Sequence, residues 1–244
     1  LSALDTPAAV ATCMWANNET GAIQPVADIA QRAAAQNTPV HIDAVQVAGK
    51  LPINFHELGA TTLAASAHKF GGPRGIGLLL ARRTPAPLPL AFGGGQERGI
   101  RPGTVDVASA SALAAALRES VEEMEEESAR LSALRDKLKA GIESSIDNVI
   151  VNSAEPTLAS HLHVSFPGTD GDSLIMLLDA AGIEASAGSA CHAGVNRMSH
   201  VLEAMGIDEE HGRGSLRFTL GRLTTEEDID AVLAELPEII RRAR

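Results

Sequence analysis

Lys69 stands in the run SAHKFGGPRGIG (residues 66–77), after an apolar stretch, with His68 before it and a pair of glycines shortly after. An amine on a flexible stem can condense with an aldehyde to form a Schiff base. Pyridoxal phosphate is the common aldehyde cofactor for such chemistry. That cofactor needs a carboxylate against its pyridine nitrogen, and Asp43 in HIDAVQ is the candidate. It also needs donors around its phosphate, and Ser66 and His68 are placed for that. Singly, these residues have plainer explanations. A lysine in a glycine turn is most often solvated, and an aspartate after a strand most often forms a turn. Together they favour the cofactor.

Cys191 lies in SAGSACHAG (186–194), among small residues that suit an open loop. A thiol there, with His192 and Arg197 nearby to favour thiolate, can act as a nucleophile. The plain alternative is a small buried hydrophobe, the commonest fate of a free cysteine. Cys13, inside ATCMWA, reads as a core residue. Cys191, His192, His200 and His211 match no zinc spacing, so no metal is expected. His161 and His163 alternate on one strand face, and His56 precedes a turn; all three read as structural. Arg217 sits in SLRFTLGR (215–222), flanked by Leu216 and Phe218. A charge buried there needs a partner. A substrate carboxylate held bidentately would serve, and so would a structural ion pair.

These residues need elements to hold them. Apolar runs at 8–16, 39–44, 61–67 and 75–81, with a helix at 25–36, predict a mostly parallel sheet covered on both faces. Chemistry in such sheets gathers at the carboxyl ends of strands, and Asp43 and Lys69 both fall at or just past predicted ends. Residues 84–89 are Pro-rich and cross the surface; GGGQERGIRPGT (93–104) is a polar glycine-rich loop. A helical stretch over 105–145 is long enough to require a bend or break. Its acidic run EEMEEE (122–127) reads as a solvated face. Beyond 148 a smaller α+β unit is predicted. Its strands fall at 149–152, 160–166 and 214–220, and its helices at 172–181, 198–204 and 225–242. Thr224 or Thr225 caps the last helix. The expected division is 1–110 as part of a large cofactor domain, 111–147 as a connecting helical region, and 148–244 as a small domain carrying the cysteine loop.

The chain has 244 residues, 45% of them hydrophobic, and a net charge of -11 from 31 acids against 20 bases. That balance argues against direct nucleic-acid binding and against an anionic membrane surface. No apolar stretch is long enough to span a bilayer, and nothing near Leu1 reads as a signal peptide. Two cysteines make no disulfide framework, and a reducing cytoplasm is the expected location. The chain opens at Leu1 without a methionine and runs almost directly into an apolar strand, which reads as the continuation of something longer.

Read in order, ANNETG, HIDAVQ, SAHKFGGPRGIG, GGGQERGIRPGT, GSAC and SLRFTLGRLTTEEDID resemble the cysteine desulfurases, class V aminotransferases of PLP fold type I. The resemblance covers essentially the whole chain. The long segment between Cys191 and Arg217 is similar to the NifS/IscS-like branch. The resemblance implies an α/β large domain, present in part, and a smaller α+β C-terminal domain. It implies that Lys69 carries the cofactor and shuttles a proton, that Asp43 pairs with the pyridine nitrogen, and that Gln46 bonds the phenolic oxygen. Asn18 would lie beside cofactor and substrate, and Ser66 and His68 would bind the phosphate. Thr104 would reach the phosphate of a neighbouring subunit, making a homodimer part of the site. Arg217 would hold the carboxylate of L-cysteine, and Cys191 would take its sulfur as a persulfide. The sulfur would then pass to an acceptor such as an iron–sulfur scaffold protein or a thiolation pathway. The family has a further long section before the point where this chain opens, with more phosphate contacts, a histidine that stacks on the cofactor, and part of the small domain. Two other readings stand beside this one: a related PLP lyase acting on selenocysteine or another β-substituted amino acid, and an inactive remnant that binds a partner.

Overall fold

The computed structural model describes residues 2–188 and 198–244. Cys191, His192 and Arg197 lie outside the described residues. The chain forms two compact units. The first comprises residues 1–16 and 24–124, and the second 17–23 and 125–244.

In the first unit β1 (Ala11–Met14), β2 (Val40–Asp43), β3 (Thr62–Ser66) and β4 (Gly77–Ala81) form one sheet in that order. β1, β2 and β3 run parallel, and β4 is antiparallel to β3. Helix α1 (Val26–Ala35) begins after Pro25 and carries Asp28 in its first turn, where a carboxylate meets the positive end of the helix dipole. Its small apolar side, Val26, Ala30 and Ala33, is buried. Asn37, at φ 54, ends the segment in a left-handed conformation that asparagine tolerates better than most residues. The short α2 (Phe55–Leu58) is capped by Asn54, whose side chain accepts from the N–H groups of His56 and Glu57. So His56 is inside a helical turn. The stretch predicted to bend does break: α3 (Val107–Glu122) belongs to the first unit, and α4 (Met124–Ser145) lies in the second from Glu125 onward.

The strands alternate. Val40, Ile42, Leu63 and Ala65 are buried on one face. The other face holds His41, Asp43, Thr62, Ala64 and Ser66, with Met14 and Leu79 on the flanking strands. This second face is open: Asp43 is exposed, Met14 is 42% exposed and Leu79 is 48% exposed. Cys13, expected in the core, is half-buried in this chain. Partial burial still pushes its thiol pKa above the ordinary range.

In the second unit β5 (Ile150–Val151), β6 (His161–Ser165) and β7 (Ser215–Thr219) form an antiparallel sheet with β6 central. Helices α5 (Gly171–Ala180), α6 (His200–Ala204), α7 (Glu209–Gly212) and α8 (Glu226–Ala243) complete it. Leu162, Val164, Leu216 and Phe218 point from one sheet face into a core with Leu138 and Ile142 of α4, Leu174 of α5 and Leu236 of α8. Thr225 caps α8 in a reciprocal box with Asp228, and Arg241 and Arg242 sit at its carboxyl end. Both arrangements favour the helix dipole. β6 is buried along its whole length, so its polar face is covered too. There the segment 17–23 comes close enough that a Cβ on Gly21 would lie 2.6 Å from the His161 Cβ.

Gly77 faces Ser66 across β3–β4, and a Cβ there would stand 2.6 Å from the Ala65 carbonyl oxygen. Backbone cannot yield as a side chain can. Gly77→Ala is expected to cost about 1–3 kcal/mol through overpacking, read as a lower denaturation midpoint with the strand end before Lys69 displaced.

Candidate active site

The parallel register places Met14 beside Asp43, and Asp43 beside Ala64. Partners in a strand pair project from the same face, and so does the residue two further on. Asp43 and Ser66 therefore share the open face near the carboxyl ends of adjacent parallel strands. The Asp43 Oδ1 accepts the Val45 N–H at 2.9 Å. Among the described residues it has no cationic partner.

After Ser66 the chain turns in a single 3-10 turn, Ala67–Lys69. Residues three apart lie on one side of such a turn, and here Ala67 and Phe70 are the buried pair. Phe70 and Gly72 both donate their N–H to the Ala67 carbonyl. The Phe70 carbonyl accepts the Ser120 hydroxyl of α3 at 2.9 Å. Gly49 permits this approach, since a Cβ there would meet Ser120 Cβ at 2.8 Å and its φ is +75°. With Ala67 and Phe70 held inside, His68 and Lys69 face outward, both exposed. Ser66 Oγ and His68 Nδ1 are hydrogen-bonded at 2.9 Å. Gln46 is half-buried in the turn after Asp43, and Thr104 is exposed.

A second amine, which no motif singles out, lies in this unit. Lys50 ends the helical turn that follows Asp43. Burial, and then the charge of Lys69, push its pKa down to about 8. It has no hydrogen-bond or ion-pair partner among the described residues.

The second unit holds Asn18 and Arg217 together. Arg217 Nη1 donates to the Asn18 carbonyl at 3.0 Å, and Nη2 donates to Ser186 Oγ at 3.2 Å. Its Nε is buried with no partner. No carboxylate pairs with Arg217 among the described residues, so the ion pair that an isolated strand arginine suggests is not formed. Opposite Arg217 in the register is His163, fully buried, whose Nδ1 accepts from Asn152 Nδ2 at 3.0 Å. Burial first, and the Arg217 charge second, push the His163 pKa down to about 4. The sequence signal for this contact was HLHVS, a strand with polar residues at alternate places and no exposed side. Glu19 is another buried polar residue: one carboxylate oxygen accepts from Ser199 Oγ, and the other has no partner.

The donor set fits pyridoxal phosphate. Among the described residues an acid without a cation, Asp43, shares one face with Ser66, and His68 and the Lys69 amine stand on the turn beyond. The Aminotransferase class-V family profile matches residues 1–232. The chain belongs to the class-V aminotransferase family. It is 50% identical over 238 residues to an IscS-like cysteine desulfurase of Mycobacterium tuberculosis, covering 97% of this chain and 61% of that protein. It is 40% identical over 244 residues to the cysteine desulfurase NifS of Azotobacter vinelandii, covering 100% of this chain and 61% of that protein. A solved NifS-like protein from Rickettsia africae superposes with TM-score 0.86 at 29% identity, over 94% of this chain and 61% of that one. The chain thus spans about three fifths of the length of these relatives. The α/β fold with its mostly parallel sheet is the fold of this family, present in part.

Two titrations follow. His163 is neutral when folded, with its pKa below the ordinary 6.5. Its contribution to stability is present above pH 6.5 and is lost as pH falls toward about 4. Over that window acid should remove about 3 kcal/mol. Urea unfolding at stepped pH should show the loss, and His163→Asn should flatten it. At pH 8 Lys50 should be about half unprotonated, against roughly 0.4% for an ordinary lysine. Its acylation by a small reagent, followed by peptide mass mapping, should reach half its limiting rate near pH 8.

Proposed function

We propose that this protein is a pyridoxal-phosphate-dependent cysteine desulfurase that takes sulfur from L-cysteine, leaves L-alanine and carries the sulfur as a persulfide on Cys191. The observation that supports this most is the placement of Asp43, Ser66 and Lys69 around the carboxyl ends of adjacent parallel strands. Ligands of open α/β sheets bind at such ends. The relatives named as cysteine desulfurases match nearly the whole chain.

Lys69 holds the cofactor and moves the proton from the substrate Cα. Asp43 keeps the pyridine nitrogen protonated. Gln46 donates to the phenolic oxygen, Ser66 and His68 bind the phosphate, and Asn18 lies beside cofactor and substrate. Thr104 serves the phosphate of a neighbouring copy, so the working unit is a homodimer. When bound, the cofactor would supply an electron-withdrawing ring that takes up negative charge from the substrate. Arg217 orients the substrate through its carboxylate. The Cys191 thiolate attacks the substrate sulfur: a sulfur–sulfur bond forms and the carbon–sulfur bond breaks. Its electron pair stays with the three-carbon unit, which takes up protons and leaves as alanine. The persulfide then passes its outer sulfur to an acceptor protein, such as an iron–sulfur scaffold or a component of a thiolation pathway. A reducing cytoplasmic setting suits a thiol that must not be locked in a disulfide. Among the described residues no helix is long and apolar enough to cross a membrane.

In the complete protein, Lys69→Ala should lower sulfur release from L-cysteine by about a hundredfold or more. Cys191→Ala should still bind the cofactor but yield no protein persulfide by mass spectrometry after incubation with L-cysteine. Full sulfur release by Cys191→Ala would overturn the persulfide mechanism.

A further inference from the structure

Four polar residues form a row across one face of the small sheet. His163 and Arg217 are register partners on β6 and β7. Ser186 forms an antiparallel bridge to Arg217, and the Asn152 N–H bonds the His163 carbonyl at 2.8 Å. Register partners project from one face, with Cβ atoms roughly 5 Å apart. The side chains are linked at both ends of the row. Asn152 Nδ2 reaches His163 Nδ1 at 3.0 Å and Ser165 Oγ at 2.8 Å. Arg217 reaches Ser186 Oγ and the Asn18 carbonyl. In the middle the links stop: among the described residues His163 Nε2 and Arg217 Nε are both buried without a partner.

A buried guanidinium is ordinarily matched by a carboxylate. Every group that bonds Arg217 here is neutral, a carbonyl and a hydroxyl, and the residue directly across the strand pair is an imidazole. Burial and the neighbouring guanidinium keep that imidazole uncharged. The position across from Arg217 is where an acid on β6 would neutralise it from within the protein.

We infer that His163 is a positioning residue for Arg217: a neutral ring that fills the cross-strand place and leaves the guanidinium charge free for the carboxylate of a small amino acid. The inference rests on the reading of Arg217 as the substrate's carboxylate partner. It predicts that charge, and not size, is what position 163 must satisfy.

Asparagine and aspartate are nearly equal in shape, so they separate the two. In the complete holoenzyme, His163→Asn and His163→Asp are compared for L-cysteine kinetics. They are also compared for calorimetric binding of 3-mercaptopropionate, which has the carboxylate but no amine to react with the cofactor. His163→Asp should raise KM and the probe's Kd about tenfold or more, with kcat changed less than about threefold. His163→Asn should stay within about threefold of the parent in both. Equal values for the two variants, or a loss confined to kcat, would overturn the inference. So would a parent protein that does not bind the probe. Should the aspartate variant fail to fold, the imidazole resonance of His163 gives a second measure. It should not titrate between pH 5 and 8 in the parent, and its midpoint should rise in Arg217→Gln; an unchanged midpoint overturns the contact. If the probe distinguishes Asn from Asp while no sulfur leaves L-cysteine, the carboxylate site stands and the desulfurase reading falls. If sulfur is released but the probe does not distinguish them, only the role of His163 falls.

Discussion

Parallel pairing of β2 with β3 is the constraint on which the first half of the site depends. Parallel strands end on the same side of a sheet, so groups at their ends are neighbours however far apart they lie in sequence. In this register Asp43 falls beside Ala64, two residues short of Ser66. A slip of one residue would send Asp43 to the buried face with Ile42 and Leu63. The hydrophobic faces of both strands therefore hold the acid where it is. The turn after β3 does the same for the amine, because burying Ala67 and Phe70 leaves Lys69 only the outward direction.

The second unit meets a different constraint. β6 has no solvent side. One face is apolar and packs on α4, α5 and α8; the other carries His161, His163 and Ser165 and must satisfy polar atoms without water. It does so with Asn152, Ser160 and the segment 17–23, leaving few atoms unpaired. Unpaired donors next to an uncompensated cation are costly in a folded chain. Among the described residues Arg217 Nε and His163 Nε2 are such atoms.

Much of this was legible in the residues. The strand and helix runs lie within a few positions of those expected, since apolar periodicity and caps such as Thr225 are local signals. Asp43 and Lys69 could be paired because fold class alone sends strand ends to a common edge. How far Cys13 is buried could not be read, because a strand's own composition does not say which strands flank it. Lys50 and His163 were missed because their states depend on burial and on one specific charged neighbour, Lys69 in one case and Arg217 in the other.

Residues 17–23 fold with the second unit, although the chain on either side of them belongs to the first. That short stretch supplies the Asn18 carbonyl to Arg217 and lies against His161. Neither unit is thus a contiguous cassette. A C-terminal piece cut out at the junction near residue 124 and made alone would lack a strip of its own wall, residues 17–23, and the carbonyl that Arg217 bonds there.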